Sequence, residues 1–242
     1  ATGGAVTAVM LINGCPVWAT IIVAILAGLA AGLVTGLLHT LLGIPDILAG
    51  ILTQIALYSI NLNIMGKSNL PISYRNYTLV VSASNINMAI LVGLGICAVV
   101  VAAMYWYFGT EQGSTIRSTG SNPAMSKAQG ININFTKVIA LALSNGLVAL
   151  SGSLFAQYQG FADINMGRGA IVIGLAAVII GEVVFGKISR NFAFSLLTVA
   201  LGSIIYYLVM QVVLWLGLNS NDLKLLSALV VAVFLAIPYM KR

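Results

Sequence analysis

The sequence predicts an all-α, polytopic bundle of transmembrane helices, and three observations carry that prediction. Hydrophobic residues fill 60% of the 242 positions, charged residues 7%, and mean hydropathy is +1.05. A water-soluble domain carries about 25% charged residues, so this chain is too poor in charge to face water on all sides. Its apolar runs also last around 20 residues without alternating, which suits helices and excludes barrel strands. In hydrocarbon every backbone amide must pair internally, and a helix does this within one segment. A single transmembrane domain over 1–242 follows, with about eight membrane helices and no separate soluble domain.

The first element, 1–12, is apolar but shorter than the ~20 residues a span needs. It has no charged n-region, so it is not a signal peptide. It is expected to be the end of a truncated helix that begins upstream. Seven further segments follow at 16–39, 45–63, 86–108, 137–158, 169–185, 191–216 and 223–239. At 1.5 Å rise per residue they match a hydrocarbon core about 30 Å thick. Three linkers stand out. Residues 66–84 ("GKSNLPISYRNYTLVVSAS") mix polar, proline and β-branched types and predict a structured external loop. Residues 109–136 are polar, and 159–168 ("QGFADINMGR") are short and charged.

Basic residues set the orientation. With 109–137 on the cytoplasmic side, Arg117, Lys127, Lys137, Lys187, Arg190, Lys241 and Arg242 lie inside, and Lys67, Arg75, Arg168 and Lys224 outside. The net charge of +6 is accounted for by this bias and requires no nucleic acid. Helix packing is signalled by "GLAAGLVTG", which sets Gly28, Gly32 and Gly36 on one face. Small faces let backbones approach where lipid gives no hydrophobic drive, within one subunit or between two. Gly174 and Gly181 repeat the device at seven-residue spacing.

Catalytic constellations are missing from the sequence. Its one histidine, His39, ends a helix, where a cation complements the dipole. Cys15 and Cys97 lie in apolar sequence and read as packing residues; neither a disulfide framework nor a metal site can be built from them. "GEVVFGKIS" at 181–189 falls short of a phosphate-binding loop. Ile188 stands where the magnesium-binding hydroxyl belongs, and no strand precedes it. "GLGICA" at Gly93 lies mid-span without a βαβ unit. Any ATP chemistry therefore belongs to another chain.

Polar residues within spans point either to interhelical hydrogen bonds or to a solute pathway. Gln54, Tyr58 and Asn61 share one helix face, and Asn145, Gly152 and Gln159 form a stripe at seven-residue spacing. Asp163, Asn165 and Arg168 would sit at the outer mouth of such a pathway. Apart from Asp46 at the very start of 45–63, Glu182 is the one carboxylate inside a span; it either pairs with Lys187 or Arg190 or takes part in ion coupling.

The stretch 118–130, "STGSNPAMSKAQG", is spelled as a short helix. Asn122 suits the N-cap, Pro123 the first helical position and Gly130 a left-handed stop. Two turns of helix are unstable alone in water, where about 12–15 residues are needed. Only Met125 could anchor it in lipid, so a partner protein is expected.

"RSTGSNPAMSKAQGIN", with the "LSNGLVALSGSLFAQYQGFADINMGRGAIVIGLAAVIIGE" that follows, resembles the ABC importer permeases that include branched-chain amino acid and ribose permeases. Within that family the chain is most similar to permeases paired with binding proteins for aromatic amino acids. The family pattern falls on Arg117, Gly120, Asn122, Gly130 and Ile131. The resemblance implies a multi-pass protein of the bacterial cytoplasmic membrane, working as a homodimer or pseudo-dimer over two cytoplasmic ATPase subunits. An extracytoplasmic solute-binding protein would deliver the solute, an amino acid. ATP and magnesium would bind the partner ATPase, with no cofactor on this chain. Arg117, Gly120, Asn122, Pro123, Met125, Ser126, Lys127 and Gly130 would form the ATPase-coupling segment. The competing expectation is an ATP-independent secondary transporter or channel, with Glu182 or Asp163 as coupling carboxylate.

Overall fold

The fold is given by a computed structural model that describes residues 1–72, 79–83, 85–185 and 192–215, with 225, 228 and 232. Two compact units emerge, one of Ala1–Ile96 with Tyr107–Gly167, the other of Cys97–Trp106 with Arg168–Arg242.

The first unit is built on α1 (Thr2–Ile12), α2 (Val17–Thr40), α3 (Asp46–Met65) and α7 (Ile133–Gln159). Pro16 and Pro45 precede α2 and α3, where a missing N–H costs nothing. Gly66 and Gly160 stop α3 and α7 with φ of 66° and 75°, backbone that disfavours a Cβ. α2 lies against α1, α3 and α7. Its face of Gly28, Gly32 and Gly36 meets α7: a Cβ at Gly32 would lie 2.6 Å from Ala142 Cα, and one at Gly36 2.9 Å from Val138 Cα. Gly3 of α1 presses on Ala149 in the same way. Hydroxyls supplement the contact, with Thr7 donating to Ser153 at 2.7 Å and Thr35 to Thr53 at 2.9 Å.

The fold is not purely helical. Asn69–Pro71 (β1) and Phe161–Asp163 (β2) pair antiparallel, with Asn69 opposite Asp163. Ile72 N–H donates to Gly160 O at 2.7 Å and Ile164 N–H to Ser68 O at 3.1 Å. This ribbon joins two linkers expected to be separate loops. Ile72, Ala162 and Ile164 pack with Ala5, Ala8 and Leu11 of α1, so burial of apolar side chains holds it in place.

α4 (Ile86–Phe108) buries only Ala89. Between α4 and α7 the linker 109–136 forms two helices, α5 (Glu111–Ser121) and α6 (Pro123–Ala128), where the sequence predicts one.

In the second unit α8 (Ala170–Phe185) crosses α9 (Phe192–Trp215). A Cβ at Gly181 would run into the Thr198 carbonyl, and one at Gly202 would fall 3.0 Å from Gly181 Cα. Gly174, expected to pack alongside Gly181, has no described atom within 4 Å of a Cβ position. Among the described residues the close approach sets Ala177 and Gly181 against Thr198 and Gly202.

Among the described residues five helices are long and apolar enough to cross a membrane: Val17–Thr40, Asp46–Met65, Ile86–Phe108, Ile133–Gln159 and Phe192–Val212. The predicted spans at 1–12 and 169–185 are shorter helices, and 223–239 lies outside the described residues apart from three positions. Arg75, Lys187, Arg190, Lys224, Lys241 and Arg242 also lie outside them.

Candidate functional site

The linker between α4 and α7 is the most elaborately terminated part of the chain. Thr110 opens α5 by accepting from Gly113 N–H at 3.3 Å. Gly113 itself lies against the backbone of Tyr107 and Phe108, where a Cβ would not fit, so the turn out of α4 is tight. Helix α5 breaks at Asn122, with φ −150° and ψ 93°. The following Pro123 explains the break, because its ring pushes the preceding residue out of helical backbone. Asn122 then starts the next helix, its Oδ1 accepting from Met125 N–H at 3.0 Å.

Helix α6 ends as deliberately. Gly130 takes φ 83°, Gly130 N–H donates to Lys127 O at 3.0 Å and Ile131 N–H to Ser126 O at 3.1 Å. That pair of bonds is a Schellman stop, which satisfies carbonyls a helix end leaves open. Two residues later Asn132 caps α7 through Phe135 N–H at 3.2 Å.

Arg117, Gly120, Asn122, Pro123, Met125, Lys127 and Gly130 all lie exposed on this element. Met125 is 58% exposed, an unbranched apolar side chain on an otherwise polar projection. Ser126 differs from its neighbours. It is 1% exposed, and its hydroxyl donates to Asn122 O at 3.1 Å. Its side chain therefore braces the turn of the expected coupling segment from within. A cleft of about 300 Å³ separates α5 from the start of α7, with Glu111 and Thr115 on one wall and Phe135 and Ile139 on the other.

The residues expected to line a pathway are dispersed. Helix α3 buries Ala49, Thr53, Asn61 and Met65, a face spaced by multiples of four. Asn61 is on it, donating to Thr2 Oγ1 at 3.2 Å, whereas Gln54 and Tyr58 are exposed. The three still share one side of α3, and only Asn61, at the end next to α1, is covered. In α7, Asn145 bonds Leu141 O of its own helix at 2.9 Å, Gly152 is half-buried near α1, and Gln159 is exposed at the helix end. Asp163 belongs to the ribbon and accepts from Asn165 N–H at 2.5 Å. Glu182 is exposed, and its expected partners Lys187 and Arg190 lie outside the described residues.

One polar residue that sequence reasoning passed over is buried more deeply than any of these in α7. Gln157 is 1% exposed, and its Oε1 accepts from Val80 N–H at 3.1 Å. Its Nε2 has no partner among the described residues. The signal was present as the run Ala142, Gly146, Ala149, Ser153 and Ala156, whose three- and four-residue spacing marks the buried face of α7. The seven-residue stripe of polar residues drew attention to a neighbouring face.

The family model for the permease component of branched-chain amino acid transport systems matches residues 1–238. A tyrosine transport system permease protein of Clostridioides difficile is 43% identical over 97% of this chain and 77% of its own length. A nucleoside ABC transporter permease of Lactococcus lactis is 35% identical over 36% of this chain and 29% of its own. The ribose import permease of Escherichia coli K12 is 32% identical over 34% and 26%. No solved structure gives a significant match.

Proposed function

The chain belongs to the family of permease components of branched-chain amino acid transport systems, and from that premise we propose that it is the membrane subunit of an ATP-driven importer. Its cargo is a small solute, an amino acid, with aromatic amino acids such as tyrosine as the first candidates. The similarity to the clostridial tyrosine permease supports that cargo. In this reading two copies of the permease sit over two cytoplasmic ATPase subunits and receive solute from an extracytoplasmic binding protein.

The observation that carries the proposal is the α5–α6 element. Six residues of helix, capped at both ends and exposed on nearly every side chain, are suited to being gripped by another protein. The caps supply a rigid shape that the length alone could not hold. Met125 and Lys127 offer that partner an apolar and a cationic contact. Closure of the ATPase pair on ATP would carry α6 with it, and α7, which begins directly after the Gly130 stop, would transmit the movement into the bundle. Hydrolysis would reset it.

Cysteines at Met125 and Lys127, co-expressed with the cognate ATPase subunit, test this directly. Cross-links from both positions, altered by ATP, are expected. Cross-links from neither, in a complex that still takes up solute, would remove α6 from the mechanism. Competition of labelled tyrosine uptake by other amino acids, ribose and nucleosides would identify the cargo.

A further inference from the structure

We propose that His39 is a proton-sensitive latch that ties α2 to both α3 and α7 at the end of the bundle nearest α6. Three helix ends meet at this ring, the only imidazole in the sequence. Its Nδ1 lies 2.7 Å from Asp46 Oδ1 and 2.8 Å from Ile44 O, while Nε2 lies 2.9 Å from Lys137 Nζ. Asp46 opens α3 and Lys137 sits in the second turn of α7.

The neighbours fix the tautomer. A carboxylate and a carbonyl can only accept, so Nδ1 carries the proton and donates to them. An ammonium can only donate, so Nε2 is bare and accepts from Lys137. His39 is therefore a neutral ring between an anion and a cation, and not the dipole-complementing cation that its place at the end of α2 suggests. The ring is 18% exposed and Asp46 is 77% exposed, so water and protons reach the cluster.

A second proton has opposite effects on the two sides of the ring. At Nδ1 it adds charge attraction to a bond already made with Asp46. At Nε2 it removes the lone pair that accepts from Lys137 and sets two cations face to face at bonding distance. The α2–α3 tie tightens while the α2–α7 tie is lost. Among the described residues the elements packed most closely on α2 are α1, α3 and α7, and α5, which packs on α7, adds Glu111 and Arg117 to the charged groups of this end. Helix α1 has no titratable side chain, and residues 41–45 have none. The remaining titratable groups of α3 and α7 are Tyr58 and Tyr158, each more than three turns from the cluster along its helix. Imidazole is the side chain whose charge ordinarily changes between about pH 5 and 8. If α6 is the coupling element, as proposed above, the latch governs how firmly α7 and α6 are held to α2 and α3. The latch itself does not depend on that reading.

Selective ¹⁵N-histidine NMR on the full chain in lipid nanodiscs reads one residue. At about pH 7.5 a neutral ring with protonated Nδ1 and hydrogen-bonded Nε2 is expected. In Lys137→Met the Nε2 signal should move to that of an unbonded nitrogen. An Nε2–H tautomer in the parent chain, or an Nε2 signal unchanged in Lys137→Met, would overturn the proposal. Spin labels at Leu41→Cys and Asn134→Cys, with both native cysteines replaced by serine, then report the α2–α7 separation. A shift of about 1–2 Å is expected between about pH 7.5 and about pH 5.5. It should vanish in His39→Gln and Lys137→Met. No shift in the parent, or the same shift in both variants, overturns the latch. Absence of ATP-driven uptake by the assembled complex would count against the importer reading alone, since neither measurement uses the ATPase.

Discussion

The α1–α2–α7 packing and the α5–α6 projection solve the same problem with different means. In the first, side chains are reduced until backbones touch. Gly3, Gly28, Gly32 and Gly36 leave no room for a Cβ, and the Thr7–Ser153 hydroxyl pair adds a short bond. In the second, few residues are packed, and order comes from helix termini: Thr110, Asn122, Gly130 and Asn132 each complete a helix end. Where lipid is the solvent, apolar burial gives little between helices, and close approach substitutes for it. Where water is the solvent, backbone groups left open by a short helix must be closed one at a time. A bundle held by contact area loses much from one added methyl, whereas a projection held by caps loses little per cap.

That contrast can be broken or sharpened in order of expected effect. Gly32→Val places bulk on the α7 backbone and should cost about 3 kcal/mol. Thermal unfolding in detergent would show it as a fall of roughly 5–10 °C. An unchanged melting temperature would mean that α2 and α7 do not approach as described. Gly130→Val forces a branched side chain into left-handed backbone at about 1–2 kcal/mol. Melting should fall by only about 2–6 °C, while, if α6 couples to an ATPase as proposed, ATP hydrolysis in the assembled complex loses its stimulation by solute. Normal coupled uptake in that variant would detach the Gly130 stop from function. Asn122→Ala removes one cap, about 1 kcal/mol, and should weaken coupling partially without altering folding. Thr7→Val deletes a buried hydroxyl that bonds Gly3 O within α1 and Ser153 of α7, the interhelical bond being worth about 0.6 kcal/mol. A loss several times larger would make the α1–α7 contact polar in character. Gly174→Ala has open space among the described residues, so melting and uptake should both stay at parental values.

What could be read beforehand follows the same division. The Gly28–Gly32–Gly36 face has a helical period and is visible in one strip of sequence; its partner surface on α7 is not, because Ala142 and Ala149 look like ordinary apolar filler. Gly202, which meets Gly181, stands alone in its segment, and no periodicity announces it. The caps of α6 were legible because capping is a local code of residue types. Helix α5 was not, since "EQGSTIRSTGS" is rich in weak helix formers and gains its helicity from the Thr110 cap and its seat against α4. The β1–β2 ribbon escaped for a third reason. Three-residue strands are too short to show alternation, and their pairing joins distant parts of the chain. Among polar residues, Asn61 was noticed and Gln157 missed, because burial depends on which face a neighbour covers, and composition does not record that.

The ribbon also sets an order of events during synthesis. Its first strand leaves the ribosome just after α3, but its partner does not exist until α4, α5, α6 and α7 have been made. Until then Ile72 has no Ala162 or Ile164 to pack with, and the segment after α3 waits unpaired on one side of the membrane. Such late closure is slow, because a long loop must be drawn together before any contact rewards it. Completion of the ribbon therefore marks the moment when α7 has been inserted with its far end on the correct side. A nascent chain stalled before β2 should be open to protease at 66–72, and one released after it should resist.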